Sequence, residues 1–193
     1  MAQLRMLYSP ELKPLPEVVE PAGFELRPLR KEELKEWGMT LHPACGFTPK
    51  DDAYFQIYLP RIVPEGIMVC VEKSTGRIAA SAVAQLAEGG IPGGLGWVMA
   101  LPEMRGRGLG AAVTAAAMRL GAAYGLKVMC LLTDDVRLPA IGLYLKFGWR
   151  PWLWAEDMPG RWRKILNELK IAPGTIENYR PDEAYRITVC HEL

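Results

Sequence analysis

The chain has 193 residues, half of them hydrophobic, which is enough for one domain with a full core. Lysine and arginine number 23 against 22 acidic residues, and the formal net charge of +1 argues against a surface for nucleic acid or anionic membrane. The four cysteines are widely spaced and only two histidines are present, so we expect neither a disulfide framework nor a metal site.

Strands and helices are predicted to alternate along most of the chain. Residues 1–22 carry four prolines and are typical of an extended N-terminal arm. Apolar runs predict seven strands, over residues 24–27, 67–73, 78–86, 95–101, 128–132, 149–154 and 185–189. Helical spacing and capping residues predict five helices, over residues 31–37, 49–59, 109–124, 139–147 and 161–170. Thr48 is the predicted cap of the second helix, and we expect a single domain over residues 23–193 that ends in a helix and a strand.

A glycine-rich loop separates the strand predicted over 95–101 from the longest predicted helix. It contains glycines 106, 108 and 110, which remove every second side chain and let a phosphate approach the main chain. The first amides of a helix lack intrahelical partners, and the helix dipole adds positive charge there. Arg105 and Arg107 add further positive charge. The loop therefore predicts an anion site, with a solvated surface turn as the plainer alternative.

Two known phosphate-binding motifs can be compared with this loop. A P-loop is excluded because neither lysine nor a hydroxyl residue follows the glycines. The relaxed dinucleotide fingerprint fits Gly106, Gly108 and Ala111, and Asp134 follows the next apolar run, where a ribose-binding acid would stand. Against it, residues 102–105 separate the strand from the first glycine, and about half the chain precedes the motif. A dinucleotide-binding oxidoreductase therefore remains an alternative.

Two segments resemble the GCN5-related N-acetyltransferase (GNAT) family. Residues 98–110 resemble its acetyl-CoA motif, Arg/Gln-x-x-Gly-x-Gly/Ala after a strand and a proline-acid pair. Residues 140–149 resemble its Ala-x-x-x-Tyr-x-x-x-Gly-Phe helix and turn. The resemblance covers about residues 24–156. It implies an α/β (α+β) fold with a mixed, twisted sheet flanked by helices, and transfer of an acetyl group from acetyl-CoA to a primary amine without a metal.

The resemblance also implies which residues bind and react. Residues 98–100 would offer strand-edge backbone groups to the pantetheine arm, and the loop amides would hold the pyrophosphate. The implied cosubstrate-binding residues are Val98, Met99, Ala100, Arg105, Gly106, Arg107, Gly108, Leu109, Gly110 and Ala111. Tyr144 matches the family tyrosine near the CoA sulfur, and a phenol can donate a proton to a departing thiolate. The alternative for Tyr144 is an aromatic residue of the core.

The sequence departs from the family pattern in two places. Arg137 stands where the family often has an asparagine, and the simplest explanation of its surroundings is a helix cap formed by Asp135 with Arg137 paired locally. The strands that often carry a base glutamate are apolar in this chain. Glu103 is better explained as a loop or helix-entry charge than as a base, and the carboxylates of Glu72, Glu88 and Asp134 remain possible. A water chain is equally plausible, so no base is assigned.

The family implies that the acceptor pocket is lined by the segment between the first two helices and by the last hairpin. Aromatic candidates there are Trp37, His42, Phe47, Tyr54, Tyr58, Trp152 and Trp154. We expect a small-molecule or peptide amine as partner, no nucleic acid and no membrane, and the resemblance leaves room for a homodimer. Without a recognisable signal peptide, a cytoplasmic protein is expected. A non-catalytic acyl-CoA-binding protein is the second alternative.

Overall fold

The computed structural model describes residues 2–11, 13–87 and 92–172, which form two compact units. The glycine-loop unit comprises Leu15–Ala87 and Gly93–Leu126. The Tyr144 unit comprises the described residues within 1–14, 88–92 and 127–193. Each unit has its own strands and helices, and each is described by itself.

The described residues form seven strands and six α-helices. The strands are β1 (Leu4–Tyr8), β2 (Phe24–Pro28), β3 (Ile62–Glu72), β4 (Ile78–Gln85), β5 (Gly94–Ala100), β6 (Met129–Thr133) and β7 (Arg150–Trp152). The helices are α1 (Leu34–Glu36), α2 (His42–Ala44), α3 (Asp52–Tyr58), α4 (Leu109–Ala123), α5 (Leu138–Lys146) and α6 (Met158–Glu168). Strands flanked by helices confirm the predicted α/β (α+β) class.

The glycine-loop unit is a four-stranded antiparallel sheet with one long helix packed on it. Its strand order is β2-β3-β4-β5, and α4 packs against β3, β4 and β5. Every residue of β4 from Ile78 to Ala84 is buried, because this strand lies inside the sheet under the helix. The α4 face that meets the sheet is rich in alanine, which lets helix and sheet approach closely.

Strand β5 contains a break in register opposite β4. Ser81 pairs with Met99 but Val83 pairs with Gly96, so β5 has one more residue than β4 across this interval. Trp97 lies in the extra stretch with φ +45°, a left-handed conformation that bulky residues rarely adopt. The Ser81 hydroxyl donates a 3.2 Å hydrogen bond to the Trp97 carbonyl oxygen. The sequence pattern predicted β5 but not this bulge.

The first helical segment of the glycine-loop unit changes its winding along its length. A 3₁₀ turn over Lys31–Glu33 leads into α1, a π-helical turn follows over Trp37–Leu41, and α2 continues from His42. Trp37 and His42 are both fully buried at the two ends of the π turn. π turns are rare and frequently occur at functional sites, so the residues that pack against this segment are candidates for a functional site.

The Tyr144 unit is built on three antiparallel strands in the order β6-β1-β7. Strand β1 is central, with Leu4 opposite Thr133 of β6, and four of its five residues are buried. Helix α5 carries Tyr144 and is followed by Gly148, whose φ of +92° ends the helix in a left-handed turn. Helix α6 confirms the helix predicted over 161–170 and begins three residues earlier.

The first strand was predicted at residue 24, and this prediction is wrong. Strand β1 precedes it, so the description of residues 1–22 as an arm fails for Leu4–Tyr8. A strand paired on both sides and buried on both faces shows no polar-apolar alternation, and this explains the omission. The domain boundary at residue 22 stays a prediction, and the strand predicted over 185–189 lies outside the described residues.

Two predicted helix caps are also wrong. The N-cap of α3 is Asp51, whose side chain accepts a 3.0 Å hydrogen bond from the Tyr54 amide, so Thr48 lies outside the helix. Helix α5 has Arg137 as its N-cap, without a side-chain cap bond. Asp135 instead accepts hydrogen bonds from the guanidinium of Arg161 in α6, one of them 3.0 Å long.

Arg161 ties α6 to two other parts of the Tyr144 unit. Besides Asp135, its guanidinium donates to the Ala2 carbonyl oxygen at 2.9 Å and forms an ion pair with Asp157 at 3.3 Å. The Arg161 side chain is only 12% exposed, so these bonds are partly shielded from water. The Arg161 guanidinium lowers the pKa of the Asp135 carboxyl by hydrogen bonding to its ionised form.

We expect Arg161→Met to lower the free energy of unfolding by about 1–2 kcal/mol, because it removes several charge-assisted hydrogen bonds while keeping the aliphatic stem. Arg163→Met is the matched control, since Arg163 lies on the same helix and is exposed. Urea unfolding of both variants at pH 7 measures the difference. Equal stability of the two variants would contradict a structural role for Arg161.

Candidate functional site

The glycine loop adopts the backbone conformation that its sequence requires. Gly106 and Gly108 have φ of +78° and +81°, in the left-handed region that favours glycine. Gly108 is the N-cap of α4, so the loop opens directly into the first helical turn. A Cβ atom at Gly106, Gly108 or Gly110 would meet no atom within 4 Å. The space above the loop is therefore open toward the helix N-terminus, as an anion site requires.

The two arginines of the loop are exposed and have different surroundings. The Arg107 guanidinium lies 4.6 Å from the centre of the Phe24 ring, and its Nη1 is 3.1 Å from the Met104 sulfur. Glu103, the nearest acidic residue in sequence, forms an ion pair with Arg77 at 2.9 Å. No carboxylate of the described residues forms an ion pair with Arg105 or Arg107. Both positive charges thus remain available to a ligand.

The predicted pantetheine-binding residues lie at the end of β5. Val98 and Ala100 are partly exposed, whereas the Met99 side chain is buried. Strand β5 pairs with β4 along one edge and is the edge strand of its own unit. After Ala100, the Leu101 amide still donates to the Ala79 carbonyl oxygen at 2.9 Å, which anchors the start of the loop to β4.

Five of the seven predicted acceptor-site aromatics converge on Trp97. The ring centroid of Trp97 lies 4.4 Å from that of His42 and 5.3 Å from that of Phe47. It lies 6.3 Å from the ring centroids of both Tyr54 and Tyr58. Trp37 joins through His42, at 4.6 Å. These six residues with Lys50 and Gln85 are called the Trp97 cluster. The remaining candidates, Trp152 and Trp154, lie in the Tyr144 unit, where the guanidinium of Arg5 packs over both rings.

Hydrogen bonds fix the tyrosines of the Trp97 cluster. The indole N–H of Trp97 donates to the Tyr54 hydroxyl at 3.1 Å, and the Gln85 amide donates to the Tyr58 hydroxyl. Gly96 makes room for Gln85, because a Cβ atom at Gly96 would collide with the Gln85 amide group. Burial raises the pKa of both phenols, so the two tyrosines stay neutral at physiological pH.

Lys50 supplies the single formal charge of the Trp97 cluster. Its ammonium nitrogen lies 4.6 Å from the centre of the Tyr54 ring and 5.1 Å from that of Trp97, within the range of cation–π attraction. The same nitrogen donates a 3.0 Å hydrogen bond to the Thr48 hydroxyl. The Lys50 amide donates to the Gly38 carbonyl oxygen at 3.0 Å, which ties this loop to the π turn.

His42 is a buried neutral group within the Trp97 cluster. The side chain is fully buried, and neither ring nitrogen has a hydrogen-bond partner among the described residues. Burial, with a smaller contribution from the Lys50 charge, lowers the pKa of His42 to about 4. A histidine with this pKa is a poor acceptor for an ammonium proton, so His42 is not assigned as a general base.

Tyr144 lies on α5 with its ring 6.3 Å from that of Trp149. The residue is 5% exposed, and burial raises the pKa of the phenol to about 12. The positive charge of Arg137 acts in the opposite direction and lowers the pKa of Tyr144. Arg137 is itself paired with Asp134 at 3.0 Å. The predicted local pairing of Arg137 is therefore confirmed. The Tyr144 phenol holds its proton across the physiological range, as a proton donor must.

The carboxylates considered as bases are engaged elsewhere. Glu72 accepts a 2.7 Å hydrogen bond from the Thr75 hydroxyl in the β3–β4 hairpin, and Asp134 accepts one of 3.1 Å from the Gln3 amide. Glu103 is paired with Arg77, as described above. Glu88 lies outside the described residues. The described part of the chain thus gives no reason to assign a carboxylate base.

Sequence reasoning missed three members of the Trp97 cluster, Lys50, Gln85 and Trp97 itself. Trp97 stands between Gly96 and an apolar run, and nothing in that pattern predicts a left-handed tryptophan. Lys50 and Gln85 come to Trp97 through the tertiary fold, from positions far apart in sequence. The family resemblance, which implies an acceptor pocket lined by the segment between the first two helices, did name five of the rings.

The buried His42 predicts a pH-dependent stability. An unfolded histidine takes up a proton near pH 6.5, whereas folded His42 resists protonation until about pH 4. Between these values the unfolded state binds more protons, so stability must fall as the pH is lowered. From pH 7 to pH 5 the loss from this group is about 2 kcal/mol.

Urea unfolding of the wild type and of His42→Leu at pH 7 and pH 5 measures this contribution. The carboxylates titrate alike in both proteins, so the variant should lose about 2 kcal/mol less stability than the wild type over this interval. Identical losses would show that His42 is protonated as readily in the folded protein as in the unfolded one.

None of the helices within residues 2–11, 13–87 and 92–172 combines the length and the hydrophobicity of a membrane span. Over the same ranges no group of three or more His, Cys, Asp and Glu side chains is arranged to hold a metal ion.

Comparison with solved structures shows the fold of this chain. A GCN5-related N-acetyltransferase from Sphaerobacter thermophilus superposes with a TM-score of 0.59 and 21% identity, over 78% of this chain and 49% of the other. A GCN5-related N-acetyltransferase from Kribbella flavida superposes with a TM-score of 0.53 and 22% identity, over 78% of this chain and 55% of the other. A GNAT-family acetyltransferase from Colwellia psychrerythraea superposes with a TM-score of 0.57 and 14% identity, over 78% of this chain and 53% of the other. This chain thus spans about half the length of these structures.

Comparison with curated protein sequences gives no match. The model of the GNAT acetyltransferase family matches residues 29–149, which is more than half of the chain and includes the glycine loop, the Trp97 cluster and Tyr144. The fold and this match agree with the resemblance carried by residues 98–110 and 140–149. The chain belongs to the GNAT family of acetyltransferases.

Proposed function

We propose that the protein is an acetyl-CoA-dependent N-acetyltransferase that acts on a primary amine. The observation that carries the proposal is the glycine loop, in which left-handed Gly106 and Gly108 lead into α4 beneath open space. Within a GNAT domain this geometry supports pyrophosphate binding by the loop amides, with Arg105 and Arg107 as additional positive charges. The residues present fit acetyl-CoA, and no metal is invoked.

The proposed reaction moves an acetyl group from sulfur to nitrogen. The unprotonated amine attacks the thioester carbonyl carbon, a C–N bond forms, the C–S bond breaks, and the nitrogen loses its proton to water. A backbone amide of residues 98–100 is proposed to polarise the carbonyl oxygen, as oxyanion donors do. The departing thiolate is proposed to take its proton from Tyr144, whose buried phenol stays protonated up to a pH of about 12.

The family match bears differently on the two alternative functions. A dinucleotide-binding oxidoreductase has no support from the family match, and calorimetric titration with acetyl-CoA and with NAD(P) tests it directly. A non-catalytic acyl-CoA-binding protein shares the glycine loop with an enzyme, so the loop does not separate the two. Turnover of acetyl-CoA with a panel of amines does separate them.

Gly108→Val should abolish acetyl-CoA binding, because a branched side chain opposes the left-handed backbone and fills the approach to the loop amides. Gly76→Val is the matched control. Gly76 also has a left-handed φ, +73°, and also faces open space, but it lies in the β3–β4 hairpin. Both variants should melt at similar temperatures, whereas only Gly108→Val should show no heat of binding in calorimetric titration. Equal affinity of the two variants would overturn the anion site.

Tyr144→Phe keeps the packing of the ring and removes only the hydroxyl. Because a thiolate with a solution pKa near 8.5 can leave unaided, we expect kcat to fall by about ten- to a thousandfold, with little change in KM for acetyl-CoA. Steady-state kinetics with an accepted amine, and thermal melts of both proteins, provide the measurement. An unchanged kcat would make Tyr144 a core aromatic and would favour another proton donor.

A further inference from the structure

The Trp97 cluster contains an ammonium group without an acidic partner. Lys50 is held by the faces of Tyr54 and Trp97 and by the Thr48 hydroxyl, and no carboxylate among the described residues pairs with it. An ammonium has three N–H donors, and here only one of them is used by a hydrogen-bond acceptor. Lys50 is partly exposed, so its free donors can reach an anionic oxygen of a bound molecule.

The charges of the cluster disfavour polycationic amine acceptors. Its members carry no acidic side chain, its histidine and its two tyrosines are neutral, and Lys50 leaves it with a single positive charge. A polyamine or another polycation would be repelled by Lys50, and no member of the cluster carries a carboxylate to pair with it. A molecule with an anionic group near its amine is attracted by the same lysine.

The aromatic members indicate what else such a molecule carries. Phe47, Tyr54 and Trp97 are all partly exposed, and Phe47 and Tyr54 meet the Trp97 indole edge-on at 87° and 81°. Rings set at right angles present both a face and an edge to a third ring, which is the geometry that aromatic groups prefer. A flat apolar group therefore fits this surface better than a flexible polar chain.

The position of Lys50 is fixed before any ligand binds. Its amide donates to the Gly38 carbonyl oxygen at 3.0 Å, and a Cβ atom at Gly38 would collide with the Lys50 carbonyl oxygen and the Phe55 ring. The next residue, Asp51, caps α3. The π turn and the helix cap thus hold the Lys50 backbone from both sides. The rings of Tyr54 and Trp97 and the Thr48 hydroxyl hold its ammonium, so little conformational freedom is lost when an anion binds.

We propose that the acceptor is a small aromatic amine that also carries a carboxylate, as an aromatic amino acid does. Lys50 binds the carboxylate, and Phe47, Tyr54 and Trp97 pack around the ring. This inference rests on the proposed function for the acetyl transfer itself, in which the amine nitrogen replaces the CoA sulfur on the carbonyl carbon and gives up a proton. It adds the chemical class of the amine and the residue that selects it.

The test compares acceptors that differ only by a carboxylate. L-tryptophan is paired with tryptamine, and L-phenylalanine with phenethylamine, while spermidine represents polycations. We expect kcat/KM to be at least tenfold higher for the amino acid of each pair, and spermidine to be the poorest acceptor. Lys50→Met should raise KM for the amino acids at least tenfold, leave the decarboxylated amines nearly unchanged, and bring the ratio within each pair close to one.

Two variants keep the comparison interpretable. Lys50→Arg retains the positive charge and should keep most of the preference for the carboxylate, even where Lys50→Met proves less stable. Lys35→Met removes an exposed lysine of α1 in the same unit and should keep the wild-type ratio. A wild-type preference for tryptamine or spermidine, or a ratio that survives in Lys50→Met, overturns the inference.

Direct binding separates this inference from the proposed function. Calorimetric titration of L-tryptophan into the wild type and into Lys50→Met needs no acetyl-CoA, and only the wild type should bind. A protein that binds L-tryptophan through Lys50 but never binds acetyl-CoA supports the ligand class and contradicts the acetyltransferase. A protein that binds acetyl-CoA but neither binds nor acetylates the aromatic amino acids overturns the ligand class and leaves the CoA site standing.

Discussion

The left-handed conformation of Trp97 is the constraint on which the rest of the glycine-loop unit depends. A bulky residue with φ +45° costs about 1–3 kcal/mol, and the surrounding structure must supply it. Ser81 does so through its hydrogen bond to the Trp97 carbonyl oxygen, and the indole contributes ring contacts and a bond to Tyr54. Without the bulge, strict pairing with β4 would carry the indole away from these partners, because successive side chains of a strand point to opposite faces.

Electrostatics in the Trp97 cluster follow from the same packing. Rings that surround His42 remove its hydration, so the imidazole stays neutral at a pH where a solvated histidine would begin to charge. Burial likewise keeps the hydroxyls of Tyr54 and Tyr58 protonated. Lys50 is the one member of the cluster with a formal charge. Its ammonium contacts aromatic faces and a hydroxyl, and the residue is partly exposed to water. One positive charge among neutral side chains is the basis of the proposed selectivity by charge.

The sequence predicted those features that depend on local chemistry. Left-handed glycines at positions 106 and 108 were foreseeable, since alternating glycines before a helix have few other uses, and most strands and helices followed from periodicity. Trp97 was not foreseeable, because its conformation is imposed by tertiary contacts that outweigh the preference of the residue. Strand β1 was missed for a related reason: its place inside a sheet is set by partners more than a hundred residues away in sequence, Thr133 among them.

Strand β5 joins the proposed acceptor site to the proposed cosubstrate site by a short and rigid path. Only seven residues separate Trp97 from Arg105, and the segment between them is pinned to β4 by strand pairing up to Ala100 and by the Leu101 amide. Acyl transfer requires amine and thioester to meet within a few tenths of an ångström of the reactive geometry. A bulge at one end of a pinned strand and a glycine loop at the other are proposed to supply that precision from a single stretch of backbone. In this proposal the bulge orients the aromatic rings of the acceptor site, and the strand sets their distance from the proposed pyrophosphate site.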